Sequence, residues 1–121
     1  MRTLALALLL LASSIALASP HPVETVAHVI ANHLDATILE CPFERDEPIA
    51  CYAYAGNIDL HKLALDVFVM GARDVTWLAP WQASSGALAR VFRVGADGGQ
   101  FVIAVVPSEL GSLAVLQFAL E

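Results

Sequence analysis

The first eighteen residues constrain this chain more than any other stretch. They read Met1-Arg2-Thr3, then a run from Leu4 to Ala12 made only of Leu and Ala, then Ser13-Ser14-Ile15 and Ala16-Leu17-Ala18. A short basic start, an apolar run and a small-x-small tripeptide are the three parts of a cleavable secretory signal. A membrane-spanning helix needs about 20 apolar residues, and Ser13-Ser14 followed by Ser19-Pro20 leaves this run short of that. The expected organisation is a signal peptide over residues 1–18 and one exported domain over residues 19–121, periplasmic or extracellular. His21 would then be the third residue of the mature chain, but Pro20 before it lacks the N–H that an amino-terminal copper or nickel clip needs.

Export changes how the two cysteines are read. In an oxidising compartment Cys41 and Cys51 have one possible intrachain pairing, a disulfide closing the short loop Pro42 to Ala50. A C-x-x-C motif for redox exchange or zinc is absent, and no His stands nearby at metal-ligand spacing.

Charge then excludes some partners. Without Arg2 the formal net charge moves from −6 to −7, five basic residues against twelve acidic. Such a domain offers no basic stripe for nucleic acid and no electrostatic attraction to anionic lipid. Apolar residues make up roughly 59% of the mature segment, where about 45–50% is ordinary, so the core is generous or some apolar surface is kept for a partner.

Periodicity supplies the elements. Val23, Val26, Ala27, Ile30 and Leu34 recur at helical spacing behind Pro22, predicting an amphipathic helix to about Asp35. Residues 37–41 and 49–54 read as two short strands around a polar loop. Asn57 or Asp59 can cap a second helix through about Gly71, with Leu60, Leu63, Ala64, Val67 and Gly71 on one stripe. The alternation of Leu63, Leu65, Val67 and Val69 leaves a strand open there as well. A helix so apolar on most sides is expected to lie buried against a sheet. From Val75 onward, Gly- and Ser-bearing turns separate Val75–Leu78, Ala87–Val94, Phe101–Val106 and Leu113–Leu120, the last suited to an edge because it carries Gln117 and ends in Glu121. The expected fold is α+β: two helices packed on one face of an antiparallel sheet of about four strands, with a short disulfide-closed hairpin between the helices.

No catalytic motif stands out. His28 and His33 are five apart, about 140° around a helix, and cannot share a metal unaided. Glu24, His28 and Asn32 share one helix face, where a carboxylate could tune a His base, but a solvated face is the preferred account of them. Ser84-Ser85-Gly86 reads as a turn, and Gly95-Ala96-Asp97-Gly98-Gly99 sits between strands instead of opening a helix, so neither is a nucleophile elbow or a phosphate loop. Neither a metal nor another cofactor is expected. The residues with recognition potential are Phe43 and Arg45 in the cystine loop and the aromatic set Tyr52, Tyr54, Trp77 and Trp81.

The resulting expectation is a non-enzymatic exported binding or interaction domain, taking an apolar small molecule or a protein partner. A small secreted enzyme inhibitor presenting Pro42 to Ala50 is the first alternative. A small hydrolase-type enzyme with His28 and Glu24, or His61, as its base is the second.

Overall fold

The computed structural model describes residues 22–42, 48–95 and 99–119. The expected signal peptide, together with Phe43 and Arg45, lies outside the described residues.

Helix α1, Pro22–Leu34, opens on a proline whose fixed φ suits a first turn and buries Val23, Ala27, Ile30 and Ala31. These positions form one stripe, and the two alanines let the helix approach the sheet closely. Asp35, in the left-handed region at φ 59°, ends it. Strands β1 (Thr37–Leu39) and β2 (Ile49–Tyr54) follow, then helix α2 (Ile58–Gly71), then β3 (Val75–Trp77), β4 (Gln82–Ser84), β5 (Ala87–Val94), β6 (Gln100–Ser108) and β7 (Gly111–Phe118).

All seven strands join one antiparallel sheet in the order β1-β2-β7-β6-β5-β3, with β4 also on β5. This corrects the expectation of about four strands with a separate cystine hairpin between the helices. Strand β2 bonds on both edges, to β1 and to β7, with Ala50 facing Leu116 and Tyr52 facing Ala114. The hairpin is therefore one margin of the main sheet. Cys41 and Cys51 are bonded, with Cα atoms 5.2 Å apart, and fasten the chain leaving β1 to β2. Strand β7, expected at an edge, lies between β2 and β6 because Ser112, Ala114 and Leu116 are needed in the core. The extra strand β4 arises from a two-residue hairpin, Ser85 and Gly86 both having positive φ, which pairs Ser84 with Ala87.

Both helices pack on the same face of the sheet, α1 over β1, β2 and β7, α2 over β3, β5, β6 and β7. Between them lie Leu65, Phe68, Phe92, Phe101, Ile103, Val105 and Leu116, with the rings of Phe92 and Phe101 stacked at 5.5 Å. The alternate residues of the long strands point to the opposite face. There Leu113 and Val115 of β7, Val102, Ala104 and Val106 of β6, and Ala89 and Val91 of β5 are half-buried.

At the β6–β7 turn, Gly111 has φ 144°, and a Cβ there would run into the Tyr54 carbonyl and the Ala55 backbone. The turn closes over the end of β2 only because the residue is glycine.

Candidate functional site

The aromatic residues singled out from the sequence do not line one pocket. They form two clusters, one on β2 and one at β3, strands four steps apart in the sheet, or ~19 Å at the usual strand spacing.

The first cluster begins at the start of α2. Asn57 caps the helix by accepting from the Leu60 amide at 2.9 Å, which turns His61 inward in the first turn. His61 lies between Tyr52 of β2, whose hydroxyl is 2.7 Å from Nε2, and Ser112 of β7, whose Oγ is 2.8 Å from Nδ1. Ser112 Oγ also donates to the Gly56 carbonyl at 2.7 Å. That last bond fixes every proton. With its hydrogen on Gly56, Ser112 accepts from His61 Nδ1–H, and Nε2 then accepts from the Tyr52 hydroxyl. One neutral tautomer satisfies the whole chain of bonds. The Tyr54 ring covers the imidazole with centroids 4.6 Å apart.

Tyr52, His61 and Ser112 are each 0% exposed. Burial pushes the His61 pKa down from 6.5 to about 4. Burial, followed by neighbouring Tyr54, pushes the Tyr52 hydroxyl far above its ordinary value. Ser112 beside His61 has the composition of a nucleophile and its base but the opposite polarity: the imidazole donates to the hydroxyl instead of taking its proton. With no open face for a substrate, these residues act as a polar pin joining α2, β2, β7 and the loop between β2 and α2.

The second cluster surrounds Arg90 of β5. Its Nη1 donates to Asp66 Oδ1 at 3.0 Å, its Nε donates to the Ala79 carbonyl, and its guanidinium carbon lies 4.1 Å from the Trp77 ring centre. Trp81 Nε1 donates to the same Asp66 oxygen at 2.9 Å, and its ring meets Trp77 edge-on at 5.3 Å. Trp77 and Trp81 thus pack on a paired cation and fasten the segment after β3 to α2. Asp66, placed by the sequence four residues from Lys62, is spent on Arg90.

Between the helices and the sheet, Ile30, Leu65, Phe68, Trp77, Phe92 and Ile103 help to line an apolar cavity of ≈ 10 Å³. That is about the room one water needs, far below a small-molecule site. Glu24 and His28 are exposed on α1, and the His33 ring meets Phe68 at 4.9 Å. Among the described residues no group of three or more His, Cys, Asp or Glu could hold a metal ion, and no described helix is long and apolar enough to cross a membrane.

The surface that the sequence reading misplaced is the outside of α2. Leu60, Leu63 and Val67, expected inward, are 54%, 59% and 56% exposed, and Met70 beside them is 85% exposed. The buried stripe is His61, Leu65 and Phe68 instead. A histidine at the centre of the packed face hid that face from a hydrophobicity pattern. The excess of apolar residues around the helix was the available signal that one stripe has no partner among the described residues. No family model, curated protein or solved structure matches this chain.

Proposed function

We propose that this chain is an exported, non-enzymatic interaction domain that binds a protein partner by seating an amphipathic helix of that partner along the outside of α2. The observation that carries this reading is the exposed stripe of Leu60, Leu63, Val67 and Met70. Its spacing is that of a seam between two packed helices. One flank is small: Ala64 and Gly71 lie beside the stripe, and a Cβ on Gly71 would meet open space, so a second helix can approach closely. The other flank carries exposed Asp59, and the chain is acidic as a whole, which favours a partner helix edged with Lys or Arg. Export is supported by the leader-like first eighteen residues and by the disulfide, which suits an oxidising compartment.

The described cavity between helices and sheet, ≈ 10 Å³, lends no support to a small molecule held there, which is why the protein partner is the reading preferred. The inhibitor reading keeps the cystine that would brace residues 42–50. A hydrolase based on His61 is not favoured by an imidazole that is buried and hydrogen-bonded at both nitrogens.

The test is site-specific photo-crosslinking in the exporting host, with the reactive side chain at Leu63 or Met70 and, as reference, at Glu24 and Pro42. A single protein adduct at Leu63 and Met70, lost in a Leu60→Asp, Val67→Asp variant with an unchanged unfolding midpoint, is expected. Adduct confined to Pro42 would favour the inhibitor reading. Equal labelling at all four positions would refute docking on α2.

A further inference from the structure

We infer that the sheet face turned away from the helices is a self-association surface, on which a second copy of this chain packs face to face as a two-fold dimer. No described helix covers this face, and its middle is apolar. None of the seven strands contains an acidic residue, although the chain has twelve, and the one charged strand residue on this face is Arg93. Arg93 pairs in register with Gln100 and Thr76 at one end of the face, Gln117 stands beside Val102, and Gln82 and Ser84 of β4 border the β5 side, so polar residues rim the apolar middle. Two copies with strong net negative charge can meet across this face with their carboxylates turned outward.

Size and shape fit the same partner. Four long strands at ~4.8 Å spacing, each about eight residues at ~3.4 Å, span roughly 19 by 27 Å, and the flanking short strands bring the face to about 600 Å². Pairing two such faces covers about 1,200 Å² in all, within the range of specific interfaces, whereas a monomer seldom leaves a larger apolar patch uncovered. Ala104 and Ala89 are paired in register and form a pit, walled by Val102, Val91 and Val106, with Val115 standing on the next strand. A two-fold axis along the strands, between β7 and this pit, sets Val115 of each copy over the pit of the other. One contact geometry then serves both copies, with the two sheets aligned as in a sandwich.

The experiment is sedimentation equilibrium on the exported protein over a dilution series, compared with Val115→Lys, Ala104→Leu and Leu63→Asp variants. The native protein should fit a reversible dimer. Val115→Lys places a charge in the apolar centre, and Ala104→Leu fills the pit with no charge and little risk to the sheet. Each substitution enters the interface twice, so a tenfold loss per site becomes about a hundredfold rise in Kd. Leu63→Asp, on the opposite side of the molecule, should leave Kd unchanged. Urea midpoints establish that each variant is folded. A native protein that stays monomeric throughout, a dimer that survives both sheet substitutions, or one dissolved by Leu63→Asp would overturn the inference.

Discussion

Acid should loosen this fold through one side chain. His61 titrates near 6.5 when the chain is unfolded and at about 4 when it is packed between Tyr52 and Ser112. Between those values the unfolded chain holds a proton that the folded chain refuses, so stability falls as pH falls. The contribution is intact above 6.5 and gone below about 4. A gap of about 2.5 pKa units is worth ~3 kcal/mol at 1.36 kcal/mol per unit, a large part of the ~5–15 kcal/mol that holds a domain together. The informative comparison is with His61→Gln, which isolates the imidazole. A glutamine can accept from Tyr52 through its carbonyl and donate to Ser112 through its amide, and it takes up no proton in this range. Urea unfolding followed by the fluorescence of Trp77 and Trp81, stepped from pH 7 to pH 4, should show the native protein losing ~3 kcal/mol more than the variant. At about 2 kcal/mol per molar urea, that is an extra midpoint shift of ~1.5 M. Parallel curves for the two proteins would refute the assignment of a neutral, sealed imidazole.

Two glycines separate backbone strain from collision. Gly86, φ 82°, has open space around its missing Cβ, so Gly86→Ala should cost ~1–2 kcal/mol for the left-handed conformation alone. Gly111→Ala adds a collision with the backbone at Tyr54 and Ala55, and its thermal midpoint should fall well below that of Gly86→Ala. Replacing both Cys41 and Cys51 by Ser frees a loop with a sequence separation of 10 and should cost about 2.5–3 kcal/mol in urea unfolding. Equal stability of the native and cysteine-free proteins would show that the loop is already closed without the bond.

The parts of the structure that sequence conveyed well are those decided by near neighbours. Val23, Ala27 and Ile30 recur at the period of α1, Asn57 caps α2, Ser85-Gly86 forms a turn, and two cysteines leave one pairing. What it did not convey depends on distant partners. Nothing near Ile49–Tyr54 announces that β2 will pair with a strand some sixty residues later, which is why the sheet was expected to be smaller and β7 to be its edge. The inward face of α2 was misread for a related reason. His61 looks polar by itself, and only Tyr52, nine residues before it, and Ser112, 51 residues after it, make its burial affordable. Tyr52, Tyr54, Trp77 and Trp81, read from the sequence as recognition residues, pack within the fold, and Arg90 and Asp66, which decide what Trp77 and Trp81 do there, carry no local mark of that role.

The pairing of β2 with β7 also orders events in time. A chain made or threaded through a channel from its amino end presents both helices and six of its seven strands while the site beside β2 still lacks its occupant. Pairings across so long a span are slow to form, because loop closure costs entropy before the contacts repay it. The cystine, by contrast, closes a separation of 10 and can form early, setting β1 against β2 as a template for the last strand to reach. His61 finds Ser112 only when that strand arrives. The polar pin is therefore completed only once β7 is in place, and the fold cannot lock before its last described strand has docked.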